Sequence, residues 1–283
     1  MNKYIFLLPL YNDWESFVLI IEKINAQLKI LNKHAEILVV NDNSPKKPPE
    51  LRKHSNINDI EILNLNKNLG SQKAISIGLQ YLKKKKDVKI ITILDSDGED
   101  DVQKIPNMII AAENNQENVV VSSRTKRQEN FFFKILYFFH KLLTFIFTLN
   151  WISYGNYSSF HSHQLKKILS NKNSWLAFSA CVAKNCKILK INAERKKRLN
   201  GVSKLSFAGL IFHSLRVNTV FIFRGLFLSV LYIFLLFVLF NINFKFPVYL
   251  ITLLILYNLL LFLTLLFNKQ ENFSNFENFI AKS

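Results

Sequence analysis

The chain has 283 residues, 37 of them basic and 20 acidic, for a formal charge of +17. Hydrophobic residues make up 49%, with 26 Phe against 7 Gly and 6 Pro, which excludes a disordered, linker-rich or collagen-like polypeptide. Two cysteines, Cys181 and Cys186, exclude a disulfide scaffold; with no Cys or His cluster beside them they read as small buried thiols rather than zinc ligands.

Met1-Asn2-Lys3 precedes an apolar run that Pro9 interrupts, too brief for a signal peptide. Residues 4–10 read as a buried strand and Trp14 to Leu31 as a helix with an apolar face. Glu36 to Val40 is a second strand, closed by Asn41-Asp42-Asn43-Ser44-Pro45. Ile60 to Leu65 is a third, followed by Gly70 and a helix through Leu82. The run Lys83 to Lys86 suits a solvated helix end, where cations complement the dipole. Lys89 to Leu94 is a fourth strand, ending in Asp95-Ser96-Asp97-Gly98. Val102 to Asn114 is helical and Asn118 to Ser122 a fifth strand. Strands alternating with helices predict an α/β domain with a mostly parallel sheet covered on both faces.

Beyond residue 130 the composition changes. Between Phe131 and Asn150, Lys134, Lys141, Thr144 and Thr148 form one narrow polar stripe on an otherwise apolar helix. Such a helix suits the headgroup plane of a membrane, and Leu205 to Leu215 is a shorter one. Thr219 to Phe240 and Phe246 to Phe267 are apolar runs of 22 residues, with Arg224 the one charge in either. Each can cross roughly 30 Å of hydrocarbon. The short link Asn241 to Lys245 makes them a helical hairpin. Residues 217–283 carry a charge of +2, so +15 lies on residues 1–216. Lys204 and Arg216 flank the first span while the hairpin loop has only Lys245, so by the positive-inside rule the N-terminal part is cytoplasmic, the hairpin multi-pass in an inner or plasma membrane, and a short tail cytoplasmic.

The polar residues collect where strands end, which in open α/β sheets is the ligand edge. Asp95-Ser96-Asp97 sets two carboxylates one residue apart after an apolar strand, a hard-oxygen pair suited to Mg²⁺ or Mn²⁺. By itself D-x-D is as readily a plain turn. In chain order, however, Pro9-Leu10-Tyr11-Asn12-Asp13, Val39-Val40-Asn41-Asp42-Asn43-Ser44, Lys67-Asn68-Leu69-Gly70-Ser71-Gln72-Lys73-Ala74 and Asp95-Ser96-Asp97 mark successive strand ends. Ser123-Arg124-Thr125-Lys126-Arg127, Gly155-Asn156-Tyr157 and Arg195-x-x-Arg198-x-x-Gly201-x-Ser203-Lys204 follow. The series resembles the family 2 glycosyltransferases, with their nucleotide-diphospho-sugar-binding fold. The later pieces and two spans are similar to the membrane-associated branch that includes dolichyl-phosphate mannosyltransferase and the bacterial polyprenyl-phosphate glycosyltransferases.

That resemblance implies roles for individual residues. Pro9, Tyr11, Asn12 and Asp13 would border the nucleotide, with Asn41 and Asp42 at the base and Asn68, Gly70, Lys73 and Ser203 completing the donor site. Asp95, Asp97 and Glu99 would hold a divalent metal and the diphosphate, while Arg124, Arg127, Arg198 and Lys204 would meet phosphates. Asn156 stands where the polyprenyl-phosphate enzymes usually carry a proposed basic Asp. An amide cannot take up a proton at neutral pH. A phosphate acceptor needs no base, being already largely a dianion, whereas a sugar hydroxyl would want one. Asp97 or Asp100 could then serve.

Residues 1–130 are therefore expected to form the nucleotide-sugar domain, 131–216 the interfacial helices and acceptor segment, and 217–283 the hairpin and tail. The expected activity is inverting transfer from a nucleotide-diphosphate sugar to polyprenyl phosphate. The alternatives are transfer to a hydroxyl of a lipid-linked saccharide or cell-envelope precursor, and an inactive membrane scaffold of the same fold. A homo-oligomer is left open. Nucleic acid is not expected as a partner, because the aromatics concentrate in membrane-like stretches instead of interleaving with the basic residues.

Overall fold

The computed structural model describes residues 3–124, 131–200, 207–239 and 245–281. Strand β1 (Lys3–Leu10) is its axis. Its side chains alternate between two cores, Ile5 and Leu7 entering one and Phe6, Leu8 and Leu10 the other. Helix α1 (Trp14–Ile30) covers the second core through Trp14, Phe17, Ile20, Ile21, Ile24 and Leu28. Strands β2 (Ala35–Asn41) and β3 (Ile57–Asn64) extend the sheet in parallel, so that Leu10, Asn41 and Asn64 end in register. Helix α2 (Ser71–Lys84) covers the first core. It lies close to the sheet at Gly78, where a Cβ would meet a Leu7 methyl at 2.5 Å.

Strand β4 (Val88–Ile93) pairs with β1 on the side away from β2. Because β2 and β4 flank β1, the chain changes direction there, and a crevice opens beyond the ends of β1 and β4. A single 3₁₀ turn (Val102–Lys104), α3 (Ile105–Asn114) and β5 (Asn118–Arg124) follow. After α4 (Phe131–Thr148), β6 (Tyr154–His161) inserts antiparallel between β4 and β5. Two short helices, α5 (Gln164–Ile168) and α6 (Phe178–Asn185), precede β7 (Lys187–Ala193), parallel to β5 at the far edge. Among the described residues the sheet thus has seven strands, ordered β3-β2-β1-β4-β6-β5-β7. It does not end near residue 130: residues 154–193, within the segment expected to hold the interfacial helices and the acceptor-binding part, supply β6 and β7 and complete the sheet. Polar β6 is tolerated there because its buried hydroxyls find partners, as in Thr92 Oγ1···Ser159 Oγ at 2.8 Å.

Helices α7 (Phe207–Thr219), α8 (Ile222–Leu239) and α9 (Lys245–Phe267) complete the chain's long elements. The segments Ile222–Leu239 and Phe246–Phe267 are each long and apolar enough to cross a membrane. They leave large side chains such as Phe223, Phe227, Leu239 and Phe267 outward. Helices α4 and α7 pack on this pair and also turn Phe138, Phe139, Ile211 and Phe212 outward. The stripe expected on α4 is partly reversed: Thr144 and Thr148 are buried inward, and Arg224 Nη1 reaches the Thr148 carbonyl at 2.8 Å. After α9 the chain returns to the domain. The Asn66 and Ala281 N–H groups donate to the carbonyls of Phe279 (2.9 Å) and Asn64 (2.8 Å), continuing the β3 edge, while Phe276 and Phe279 enter the first core. The lysine run is not merely solvated, since Lys84 pairs with Glu277 of this tail and Lys85 with Glu61.

Candidate active site

A cleft of about 310 Å³ lies beyond the ends of β1, β2 and β4. Pro9, Tyr11, Asp13, Asp42, Asn68, Gly70, Asp95, Asp97 and Arg198 line it, together with Leu10, Ser71 and Ser96. Nine of the residues singled out from sequence therefore meet in one place.

Arg198 spans this cleft. Its Nη2 lies 2.6 Å from Asp13 Oδ2 and its Nη1 3.5 Å from Asp97 Oδ2. Asp13 precedes α1 as a capping residue would, yet its side chain makes no cap bond and is given to Arg198 instead. The segment carrying Arg198 is held against the acidic turn by backbone bonds, Leu199 N–H to the Asp97 carbonyl (3.0 Å) and Lys196 N–H to the Glu99 carbonyl (2.8 Å). Gly98 makes that approach possible. Its φ is +82°, and a Cβ there would meet Leu199 Cγ at 2.4 Å.

Asp95 and Asp97 are the acidic pair. Burial, then the Asp95 and Glu99 charges, push the Asp97 carboxyl up to about 6 against the opposing pull of Arg198. The Asp95 backbone N–H donates to buried Asp100 at 2.9 Å, which shapes the turn. Glu99 does not line the cleft; its Oε2 accepts Arg195 Nε at 2.9 Å. Among the described residues no group of three or more His, Cys, Asp or Glu converges to cage a metal ion. A crowded carboxylate pair without a third acidic ligand fits a hard divalent cation whose remaining positions are filled by diphosphate and water.

A chain of three side-chain hydrogen bonds runs into Asp95. The Phe178 N–H, at the start of α6, donates to Gln72 Oε1 (2.8 Å); Gln72 Nε2 donates to Asn156 Oδ1 (3.0 Å); Asn156 Nδ2 donates to Asp95 Oδ1 (3.1 Å). A backbone N–H can only donate and an ionised carboxylate only accept, so both amide orientations are dictated from the two ends. The β4–β6 register places Asn156 there: Ile93 faces Ser158, and two residues on, Asp95 faces Asn156. Gln72 was not singled out from sequence. Its place in the first turn of α2, just past Gly70, is the signal that could have found it.

The other expected residues are placed differently. Asp42 lines the cleft, but its two oxygens accept the N–H groups of Leu69 (2.7 Å) and Gly70 (2.8 Å), so it shapes the loop after β3. Burial pushes its carboxyl up, against those two bonds and the Lys73 charge. Asn41 is buried away from the cleft, donating to Asn64 Oδ1 (2.8 Å) and accepting Ser44 N–H (3.1 Å). Asn12, at φ +61°, ties the loop after β1 to the loop after β2: its N–H donates to Ser44 Oγ (2.8 Å) and its Oδ1 accepts Lys46 N–H (3.3 Å). Lys73 does not line the cleft and lies over Trp175. Arg124 ends β5. Arg127, Ser203 and Lys204 lie outside the described residues.

Comparison with known proteins agrees with this architecture. An undecaprenyl-phosphate 4-deoxy-4-formamido-L-arabinose transferase from Yersinia enterocolitica is 31% identical over 119 residues, 40% of this chain and 34% of the relative. The Proteus mirabilis protein of that name is 28% identical over 116 residues, again 40% and 34%. The chain thus matches about a third of the length of these curated relatives. In fold it is similar to mannosyl-3-phosphoglycerate synthase from Rubrobacter xylanophilus, at a TM-score of 0.53 and 13% identity over 77% of this chain and 72% of that one. It is likewise similar to glucosyl-3-phosphoglycerate synthase from Mycobacterium tuberculosis in complex with Mn²⁺, uridine-diphosphate and phosphoglyceric acid, at a TM-score of 0.54 and 11% identity over 79% and 78%. Residues 6–179, which run from within β1 through β6 and include α2 and the acidic turn, match the profile named Glycosyl transferase family 2, and the chain belongs to that family.

Proposed function

We propose that this protein is a membrane-anchored glycosyltransferase that moves a sugar from a nucleotide-diphosphate sugar to polyprenyl phosphate. The curated relatives are named as undecaprenyl-phosphate transferases, and one fold neighbour was crystallised with Mn²⁺ and uridine-diphosphate. The donor diphosphate would lie in the cleft between Asp95, Asp97 and Arg198. A divalent ion held by Asp95 and Asp97 would supply charge neutralisation to the departing diphosphate. Arg198 would exchange its carboxylate partners for phosphate oxygens, to which a guanidinium fork is well matched. An acceptor phosphate oxygen attacks the anomeric carbon as the bond to the diphosphate oxygen breaks, so configuration inverts and nucleoside diphosphate departs.

The observation that carries the acceptor reading is Asn156. The group opposite Asp95 is an amide, fixed in orientation by Gln72, and it offers no base. A phosphate nucleophile arrives ionised and needs none. The return of the tail to β3 supports a hairpin with both ends on the side of the catalytic domain, and Lys204 and Arg216 before the first span, against Lys245 alone in the hairpin loop, support the cytoplasmic face for that side.

The test is to incubate the detergent-purified protein with a panel of nucleotide sugars and either polyprenyl phosphate or a lipid-linked saccharide, and to identify glycolipids by mass spectrometry. A glycosylated polyprenyl phosphate is expected. Product only from the lipid-linked saccharide would replace the acceptor, and nucleotide binding without any product would favour the inactive scaffold.

A further inference from the structure

We propose that Lys67, Lys73 and Arg216 form a seat for the phosphate of a membrane lipid, beside the donor cleft that Gly70 and Ser71 line, at the level where the hairpin meets the catalytic domain. This deepens the acceptor reading and in part rests on it.

The seat is built on two aromatic rings. Trp175 and Phe279 lie 5.7 Å apart between centroids. Lys73 Nζ stands 5.5 Å from the Trp175 centroid and Lys67 Nζ 4.9 Å from that of Phe279. The two ammonium groups are thus carried by touching rings, one from α2 and one from the loop before it. Arg216 comes from the last turn of α7 and is half-buried; burial first, then the charges of Arg216 and Lys67, hold Lys73 below the usual lysine range.

These cations lack compensation. Several part-buried lysines elsewhere in the sheet region have a carboxylate, as Lys33 and Lys89 have Glu113 and Lys85 has Glu61. Among the described residues none of Lys67, Lys73 and Arg216 makes an ion pair. The nearest acid acting on Lys73 is Asp42, whose oxygens already hold the Leu69 and Gly70 N–H groups. Three cations, two of them partly desolvated, are poorly arranged for an empty protein surface and well arranged for an anion with several oxygens.

The position says where that anion comes from. Trp175 Nε1 donates to the Asn268 carbonyl at 3.1 Å, directly after α9, and Arg216 precedes the start of α8 by six residues. Both ends of the membrane hairpin therefore border the seat. A phosphate carried at the head of a lipid chain would reach it without leaving the bilayer surface. Two lipid classes share that chemistry, a polyprenyl phosphate monoester and a phospholipid diester.

The experiment uses the full chain in phosphatidylcholine nanodiscs containing polyprenyl phosphate, phosphatidylglycerol at equal charge, or no anionic lipid. Retention of each lipid is read by native mass spectrometry, and nucleoside-diphosphate binding by calorimetry. Lys67→Gln, on an exposed loop, and Arg216→Gln should each weaken retention of polyprenyl phosphate about tenfold and the pair more, while nucleoside-diphosphate affinity stays within about twofold. Arg216→Lys should restore most of the loss, since it keeps the charge; a loss caused by misfolding would lower nucleotide binding as well. Charge-dependent retention of phosphatidylglycerol but not polyprenyl phosphate would keep the seat and remove the acceptor reading. Unchanged retention in both glutamine variants, a loss of nucleotide binding in place of lipid binding, or equal displacement by millimolar inorganic phosphate would overturn the seat, even where the wild type glycosylates polyprenyl phosphate.

Discussion

Asn156 donates its side-chain amide to Asp95, 3.1 Å away, and receives a hydrogen bond from Gln72 in return. Replacing that amide by a carboxylate brings two acids into contact. At about 3 Å and an effective dielectric near 20, their repulsion is roughly 5 kcal/mol. Asn156→Asp is therefore expected to lower turnover on polyprenyl phosphate at least about tenfold and to raise the metal concentration needed for half activity. Steady-state rates across a metal titration check this. An Asn156→Asp enzyme faster than wild type would mean that the acceptor needs a base.

Gln72 offers a sharper test because its two ends do different work. Gln72→Glu can still accept the Phe178 N–H but cannot donate to Asn156 Oδ1 when ionised. Asn156 must then turn its amide, presenting oxygen to Asp95. Gln72→Glu should thus impair activity more than Gln72→Ala, whereas Gln72→Ala, which leaves the Phe178 N–H without an acceptor, should lose more stability, by roughly 1–3 kcal/mol. Parallel rate and thermal-unfolding measurements on the two variants decide whether the orders cross.

At Gly98 two faults are separable. A methyl group there meets Leu199 and also sits at φ +82°. Gly98→Ala should lift the segment bearing Arg198 from the acidic turn and raise the KM for the donor about tenfold or more, with the fold intact. Leu199→Ala in the same chain removes the two closest contacts, leaving its own Cβ at 3.3 Å and the backbone strain, which costs on the order of 1 kcal/mol. Partial recovery of KM is expected, and no recovery would place the whole effect in the backbone.

Acid stability should follow Glu113, at the end of α3. Burial opposes its ionisation, but hydrogen bonds from Tyr4 (2.5 Å), Lys33 (3.1 Å) and Lys89 (3.1 Å) outweigh that and hold the carboxyl below its usual range. A depressed folded-state value contributes stability that is present above the unfolded value and is lost as pH falls through the folded one. Stability measured from about pH 5.5 downwards should fall below about 4.5, with a shallower decline for Glu113→Gln. An unchanged slope would remove Glu113 from the acid transition.

The strand-end residues Pro9, Tyr11, Asp13, Asp42 and Asp95 to Asp97 were legible because a hydrophobic run stopping at polar residues marks the edge where ligands bind. Their neighbours were harder to read. Asn12 and Asn41 sit beside cleft residues in sequence, yet serve loop-to-loop hydrogen bonds that only the folded loops define. Glu99 belongs to Arg195, 96 residues away, and Gln72 depends on Phe178, 106 away, which no local pattern reports. Strand β6 escaped notice for another reason: Ser158 and Ser159 are fully buried, and hydroxyls satisfied across strands do not look like a core from composition.

The tail has a consequence for the order of synthesis. The last hydrogen bonds on the β3 edge come from residues 278–281, made by the ribosome only after both α8 and α9. Asn66 waits 212 positions for the Asn278 carbonyl, among the longest-range contacts in the chain. Until then the backbone groups of Asn64 and Asn66 that the tail pairs are open to wrong partners. If α8 and α9 cross a bilayer as proposed, these bonds form only when α9 emerges on the face that α8 entered. A chain whose hairpin inserted with its ends on opposite faces would lack these tail contacts, so a wrongly threaded protein would also be an incompletely folded one.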